Sequence, residues 1–203
     1  MLDDGFSYYT LLGGAEFDGF STNRLLNFDS VNRTATSDYF GWENYCYLER
    51  GFSFQGCNSV LQPFAAIQYI YLHQNSFVES GANSIDLAGG GVPTNSLRSI
   101  LGARAQYAIY NGRGRRVMPE IHALWLHEFL DSNTIVRATF SPVPAGSSGF
   151  TAQGLDLGRD WAMVGANITW EMLGGWSMFV NGDIQTNTQT TFYVGSGGIG
   201  CQW

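Results

Sequence analysis

Residues 96–110 read SLRSILGARAQYAIY. The odd positions Leu97, Ser99, Leu101, Ala103, Ala105, Tyr107 and Ile109 are mostly apolar, while the even positions Arg98, Gly102, Arg104 and Gln106 are polar or lack a side chain. Successive side chains of a β-strand point to opposite faces, so this period of two predicts a strand with one apolar and one polar side. Wound as a helix, the same apolar residues would scatter around the axis.

The pattern recurs. Residues 161–172, WAMVGANITWEM, set Ala162, Val164, Ala166, Ile168, Trp170 and Met172 against Gly165, Asn167, Thr169 and Glu171. Residues 176–185, WSMFVNGDIQ, set Trp176, Met178, Val180 and Ile184 against Ser177, Asn181, Asp183 and Gln185. Residues 60–72, VLQPFAAIQYIYL, place Leu61, Ala65, Ile67, Tyr69 and Tyr71 opposite Gln62 and Gln68, with Phe64 and Ile70 as apolar exceptions on the polar side. Strands are predicted near 5–19, 37–54, 60–74, 96–110, 117–130, 134–141, 159–172, 175–186 and 190–203, about nine in all, with no amphipathic helix. Residues 21–36 and 81–95 leave room for further short strands. Tight turns at LDSN (130–133) and LGG (173–175) alternate with the long PVPAGSSGFTAQGLDL segment (142–157), as in outer-membrane barrels.

A soluble sandwich packs its apolar faces together and turns polar faces rich in Lys and Glu to bulk water. Here the polar faces are Gly, Asn, Gln, Ser, Thr and Tyr, and charged residues are only 13% of the chain while aromatics reach 15%. Such faces suit a narrow wet lumen, and apolar faces with Trp or Tyr near strand ends suit lipid between interfacial girdles. The expected fold is therefore all-β, an antiparallel transmembrane β-barrel. No run is long and apolar enough for a membrane helix. A net charge of -7 argues against nucleic acid, and the basic cluster Arg113, Arg115 and Arg116 reads as a solvated turn. The chain starts acidic, without a basic region leading into an apolar core, so any export signal is expected upstream.

Motifs that could carry chemistry do not assemble. His122 and His127 in IHALWLHEF are five apart, which sends them to opposite faces of a strand and apart on a helix, so no metal site is expected. Cys46, Cys57 and Cys201 show no zinc spacing; a Cys46–Cys57 disulfide is the minor alternative to free thiols. GSSGF lacks the strand-to-helix setting of a nucleophile elbow. Gly195, Gly197 and Gly200 spell G-x-G-x-x-G, but only Cys201, Gln202 and Trp203 follow, too few for the helix whose N-terminus would meet a phosphate. No catalysis and no cofactor are expected. Glu43, Glu49, Glu128, Glu171 and Asp183 fall on polar faces with Arg98, Arg104 and Arg137, where they are expected to line the lumen and pair across it.

Taken in order, LQPFAAIQYIYLHQNSFVESGA (61–82), SLRSILGARAQY (96–107), PEIHALWLHEFLD (119–131) and GFTAQGLDLGRDWAMVGANITW (149–170), ending in an aromatic, resemble the C-terminal β-barrel of the autotransporters. The resemblance implies a twelve-stranded barrel in the outer membrane of a Gram-negative-type bacterium, a translocator that helps its own passenger polypeptide reach the cell surface and then anchors it. It also implies an assembly signal in the last strand, read by the outer-membrane β-barrel assembly machinery. That signal matches here at Ser196, Gly198, Cys201 and Trp203, with Cys201 smaller than the usual apolar residue and Trp203 in place of the commoner Phe. The implied partners are outer-membrane lipid, the assembly machinery and the passenger. Residues 1–203 are read as one β-barrel domain lacking roughly three N-terminal strands and the passenger. A small structural or porin-like barrel, and a secreted all-β binding domain or enzyme, are the alternatives.

Overall fold

A computed structural model describes residues 6–111, 115–130, 135–141, 149–154 and 157–201. In chain order the strands are β1 (Phe6–Phe28), β2 (Val31–Gln55), β3 (Ser59–Gln74), β4 (Phe77–Val78), β5 (Leu87–Gly89), β6 (Val92–Tyr107), β7 (Ile109–Asn111), β8 (Arg115–Glu128), β9 (Ile135–Phe140), β10 (Gly149–Gln153), β11 (Asp160–Glu171), β12 (Trp176–Thr186) and β13 (Thr191–Cys201). Nine of them form one curled antiparallel sheet in the order β1-β2-β3-β6-β8-β11-β12-β13, with β7 alongside β8. The other four, in the order β10-β9-β5-β4, form a second small sheet.

The main sheet has the expected nine members with one exchange. The strand predicted at 134–141 exists as β9 but pairs with β10 and β5, and the ninth place goes to β7. Residues 21–36 are not separate strands; they prolong β1 and β2 into a single hairpin, closed at Asp29 in the left-handed region (φ 48). The LGG turn between β11 and β12 puts Gly174 and Gly175 at φ 81 and 78, where a residue without Cβ carries no penalty. The turn predicted at 130–133 lies, apart from Leu130, outside the described residues.

Connections sort onto two rims. One carries the short β2–β3 and β11–β12 turns, together with Phe6 and Cys201, which pair with Ser53 and Trp176. The other carries the longer β3–β6 and β8–β11 connections, which hold the small sheet. β2 pairs with β3 only as far as Gly41 opposite Gln74, but the β1–β2 ladder runs on to Phe28 opposite Val31. The hairpin thus stands out beyond the second rim.

Registers carry one face across six strands: Thr10, Glu49, Ala66, Ile100, Leu126 and Trp161 are directly paired in sequence from β1 to β11. On this inner face Glu49 is 1% exposed, and Phe64, Ala66, Ile100, Leu126 and Trp161 form a buried apolar cluster. The opposite face is open, and apolar without charged pairs in its middle. Leu11, Ile67, Leu101, Ile121, Val164 and Val180 lie open on it, at 73% exposure for Leu11 and 65% for Ile121. Aromatics on that outer face sit near the strand ends. Phe17, Trp42, Tyr71, Trp125 and Tyr193 lie toward the loop-rich rim and Phe52, Tyr107, Trp170 and Trp176 toward the short-turn rim, flanking an aliphatic middle. Among the described residues, β1 and β13 each pair with one neighbour only, so the sheet has two open edges.

Candidate functional site

Curling brings inner-face charges from non-adjacent strands within reach. Glu49 on β2 accepts hydrogen bonds from Tyr8 of β1 (2.9 Å), from Tyr47 two residues away, and from Arg104 Nη2 on β6 (2.6 Å), across the intervening β3. The Arg104 guanidinium lies 4.1 Å from the centroid of Phe64, so the apolar exception of the polar face is a cation–π platform. A fully buried carboxylate is tolerated because both oxygens are occupied and a cation is adjacent. Tyr8 stands directly opposite Gly51, where an added Cβ would lie 2.5 Å from its ring and hydroxyl; the missing side chain makes room for the tyrosine to lean toward Glu49.

Further pairs follow along the wall. Arg98 Nε donates to Glu128 (2.9 Å), which also accepts from Ser96 Oγ (2.5 Å) and from the Leu97 amide (2.8 Å). Arg116 binds Glu171 through Nε (2.9 Å) and Nη2 (2.6 Å). Asp183 meets His122 Nε2 at 2.7 Å, and Gly165 lies between them in the ladder; a Cβ there would stand 2.0 Å from Asp183 Oδ1 and 2.5 Å from His122 Nε2. His127, on the outer face, pairs instead with Asp160 at 2.8 Å. The two histidines therefore point apart, as their spacing predicts.

Of the residues singled out from the sequence, Glu43, Glu49, Arg98, Arg104, Glu128, Glu171 and Asp183 share the inner register face. Glu43 stands directly opposite Glu16, a like-charge pair. Arg137 is set apart: it is exposed on β9, opposite Thr151, in the small sheet. Ser196 and Gly198 lie on the inner register face of β13 and Cys201 on the outer one; Trp203 is outside the described residues. Gly198 faces Phe179, whose ring would lie 2.6 Å from an added Cβ. Sequence reading missed Tyr8, Tyr47, His122 and Arg116 as members of the wall. Parity alone could have placed Arg116, since it shares the even phase of Glu120, His122 and Glu128.

A half-closed sheet, apolar outside and with its ion pairs enclosed within beside a small apolar cluster, with longer connections on one rim, is the wall of a membrane barrel. The family model described as Autotransporter beta-domain matches residues 1–183. The chain belongs to that family. An autotransporter β-domain is an outer-membrane translocator, and membership places this one in the outer membrane of a Gram-negative-type bacterium, linked to a passenger. No curated protein matches the chain. Within the β-domain, the wall of ion pairs described above has the character of a scaffold. Arg104–Glu49, Arg98–Glu128, Arg116–Glu171 and His122–Asp183 each have both members on the inner face.

Proposed function

We propose that this β-domain assists export of an N-terminal passenger and anchors it at the cell surface, doing no chemistry of its own. The observation that carries the reading is the inversion of the sheet: large aliphatic side chains are open to the surroundings while a carboxylate such as Glu49 is enclosed. Water rewards the opposite arrangement, whereas lipid rewards this one. The outer face meets outer-membrane lipid, the inner face lines the lumen, and Ser196, Gly198, Cys201 and Trp203 form the signal for the assembly machinery.

The open edges need partners, because unpaired backbone groups facing lipid are costly. β13 runs from the loop-rich rim to the short-turn rim and β1 runs back. Antiparallel closure through additional strands therefore needs an even number of them. Set beside the twelve strands implied by the autotransporter resemblance, the proposal is that four strands, rather than about three, join the eight long ones. The test is migration of the full-length precursor in cold SDS, with protease shaving of intact cells. A barrel that exports its passenger stays compact until boiled and presents the passenger to protease. Immediate denaturation in cold SDS, or a passenger reached only after cell lysis, contradicts the reading.

A further inference from the structure

The small sheet is fastened to the projecting hairpin, and to a particular side of it. Residues 19–28 and 31–40 continue past the last β2–β3 rung, and at about 3.3 Å per residue they carry the hairpin roughly 30 Å beyond the rim. Thr36 and Ser80 exchange two backbone hydrogen bonds of 2.9 Å. Arg24 grips Glu79 with Nε at 3.0 Å and Nη2 at 2.5 Å, and donates to the Ile85 carbonyl at 2.8 Å; Arg33 donates to the Ala82 carbonyl at 2.8 Å. Phe20 stacks on Tyr39 with centroids 5.1 Å apart, and Tyr39 packs tilted against Phe77 at 5.6 Å. Arg24, Phe20 and Tyr39 belong to the register face that carries Tyr8 and Glu49 lower down. The attachment is therefore on the inner side. From there the sheet continues through β5 to β9 and β10, which belong to the β8–β11 connection. It thus joins the hairpin to the connection that leaves the rim two strands beyond β3.

We propose that this four-stranded sheet is a lid over the outer mouth of the barrel, latched to the hairpin by Arg24–Glu79 and the Thr36–Ser80 bridge, and that a polypeptide crossing the lumen has to displace it. The proposal rests on the barrel reading above. It is tested in the full-length precursor with Cys46 and Cys57 changed to Ser, Cys201 changed to Val so that its place in the proposed assembly signal stays apolar, and the lock Thr36→Cys/Ser80→Cys added. With the lock oxidised, passenger exposed on intact cells falls several-fold, and dithiothreitol restores it. Export that is equal in oxidised and reduced cells, in a barrel resisting cold SDS, overturns the lid alone. A precursor without the lock that never gains that resistance overturns the barrel and the lid with it. A second variant needs no crosslink: Arg24→Gln/Glu79→Gln raises single-channel conductance of the purified full-length protein at least about twofold. Unchanged conductance in an SDS-resistant barrel counts against the latch.

Discussion

Glu49 is the residue on which the inner wall depends most. Three donors converge on its carboxylate, and removing it strands Arg104 against Phe64 without an anion. Breaking a buried pair by deleting one member costs about 3–5 kcal/mol, whereas replacing both members with apolar groups of similar volume is close to neutral. Glu49→Ala is expected to lower the urea unfolding midpoint of the refolded full-length protein sharply, and Glu49→Leu/Arg104→Met to lose less than half as much. Equal losses would show that the pair is not what holds this part of the wall. The charges of this cluster were legible in the sequence, because parity places Glu49 and Arg104 on polar faces. Their pairing was not, since it depends on curvature that lifts β2 and β6 toward each other over β3. Tyr8 and Tyr47 were invisible for the same reason; a tyrosine on a polar face carries no sign of which carboxylate it will meet.

At the scale of the strand, the alternation assigns each residue a solvent. Val164 is outward and half exposed, and Gln106 is on the inner register face. An arginine on the lipid face near the midplane costs about 2–4 kcal/mol, and a lumenal one far less. Val164→Arg is therefore expected to destabilise the folded barrel in lipid vesicles by that amount and Gln106→Arg by under about 1 kcal/mol. Similar costs at both sites would remove the distinction between the faces. The lid fastening has its own signature in pH. The Glu79 carboxyl is held below the usual carboxylate range by its hydrogen bonds from Arg24, with the Leu87 amide adding to the same effect, while Asp86 faces the same guanidinium. A carboxylate with a depressed folded-state pKa stabilises above its unfolded value and loses that contribution as pH falls through the folded one. The Thr36 and Ser80 amides should thus be protected from hydrogen exchange at neutral pH and lose protection only as pH falls below the usual carboxylate range, after correction for intrinsic rates. Protection independent of pH would argue that the ion pair does not fasten the lid. The period-two signal found all eight long strands, but it faded over residues 21–36, where Leu25 and Leu26 are adjacent and both faces are largely polar. That segment stands past the last β2–β3 rung, clear of the proposed lipid-facing wall, so nothing there demands an apolar side. β9 was found as a strand yet assigned to the wrong sheet, because its partner β5 lies about 50 residues away in a stretch of glycines without alternation.

For the whole molecule the question is assembly and orientation in a membrane. Replacing Trp203 by Asp in the full-length precursor is expected to reduce the outer-membrane fraction several-fold by removing the apolar end of the assembly signal; normal insertion would withdraw that role from the last strand. The family and the barrel architecture were readable from the order of the aromatic and glycine-bearing strands, whereas the location of the open edges and the parity of what closes them needed the topology. The most direct measurement of the central claim is spin-label accessibility along residues 97–106 of the full-length protein in lipid vesicles, one cysteine at a time in a background free of the three native ones. Labels at 97, 101, 103 and 105 are predicted to be reached by oxygen dissolved in the bilayer, and labels at 98, 104 and 106 by a water-soluble nickel chelate, in strict alternation. Nickel access on both faces would contradict it and return the sheet to water.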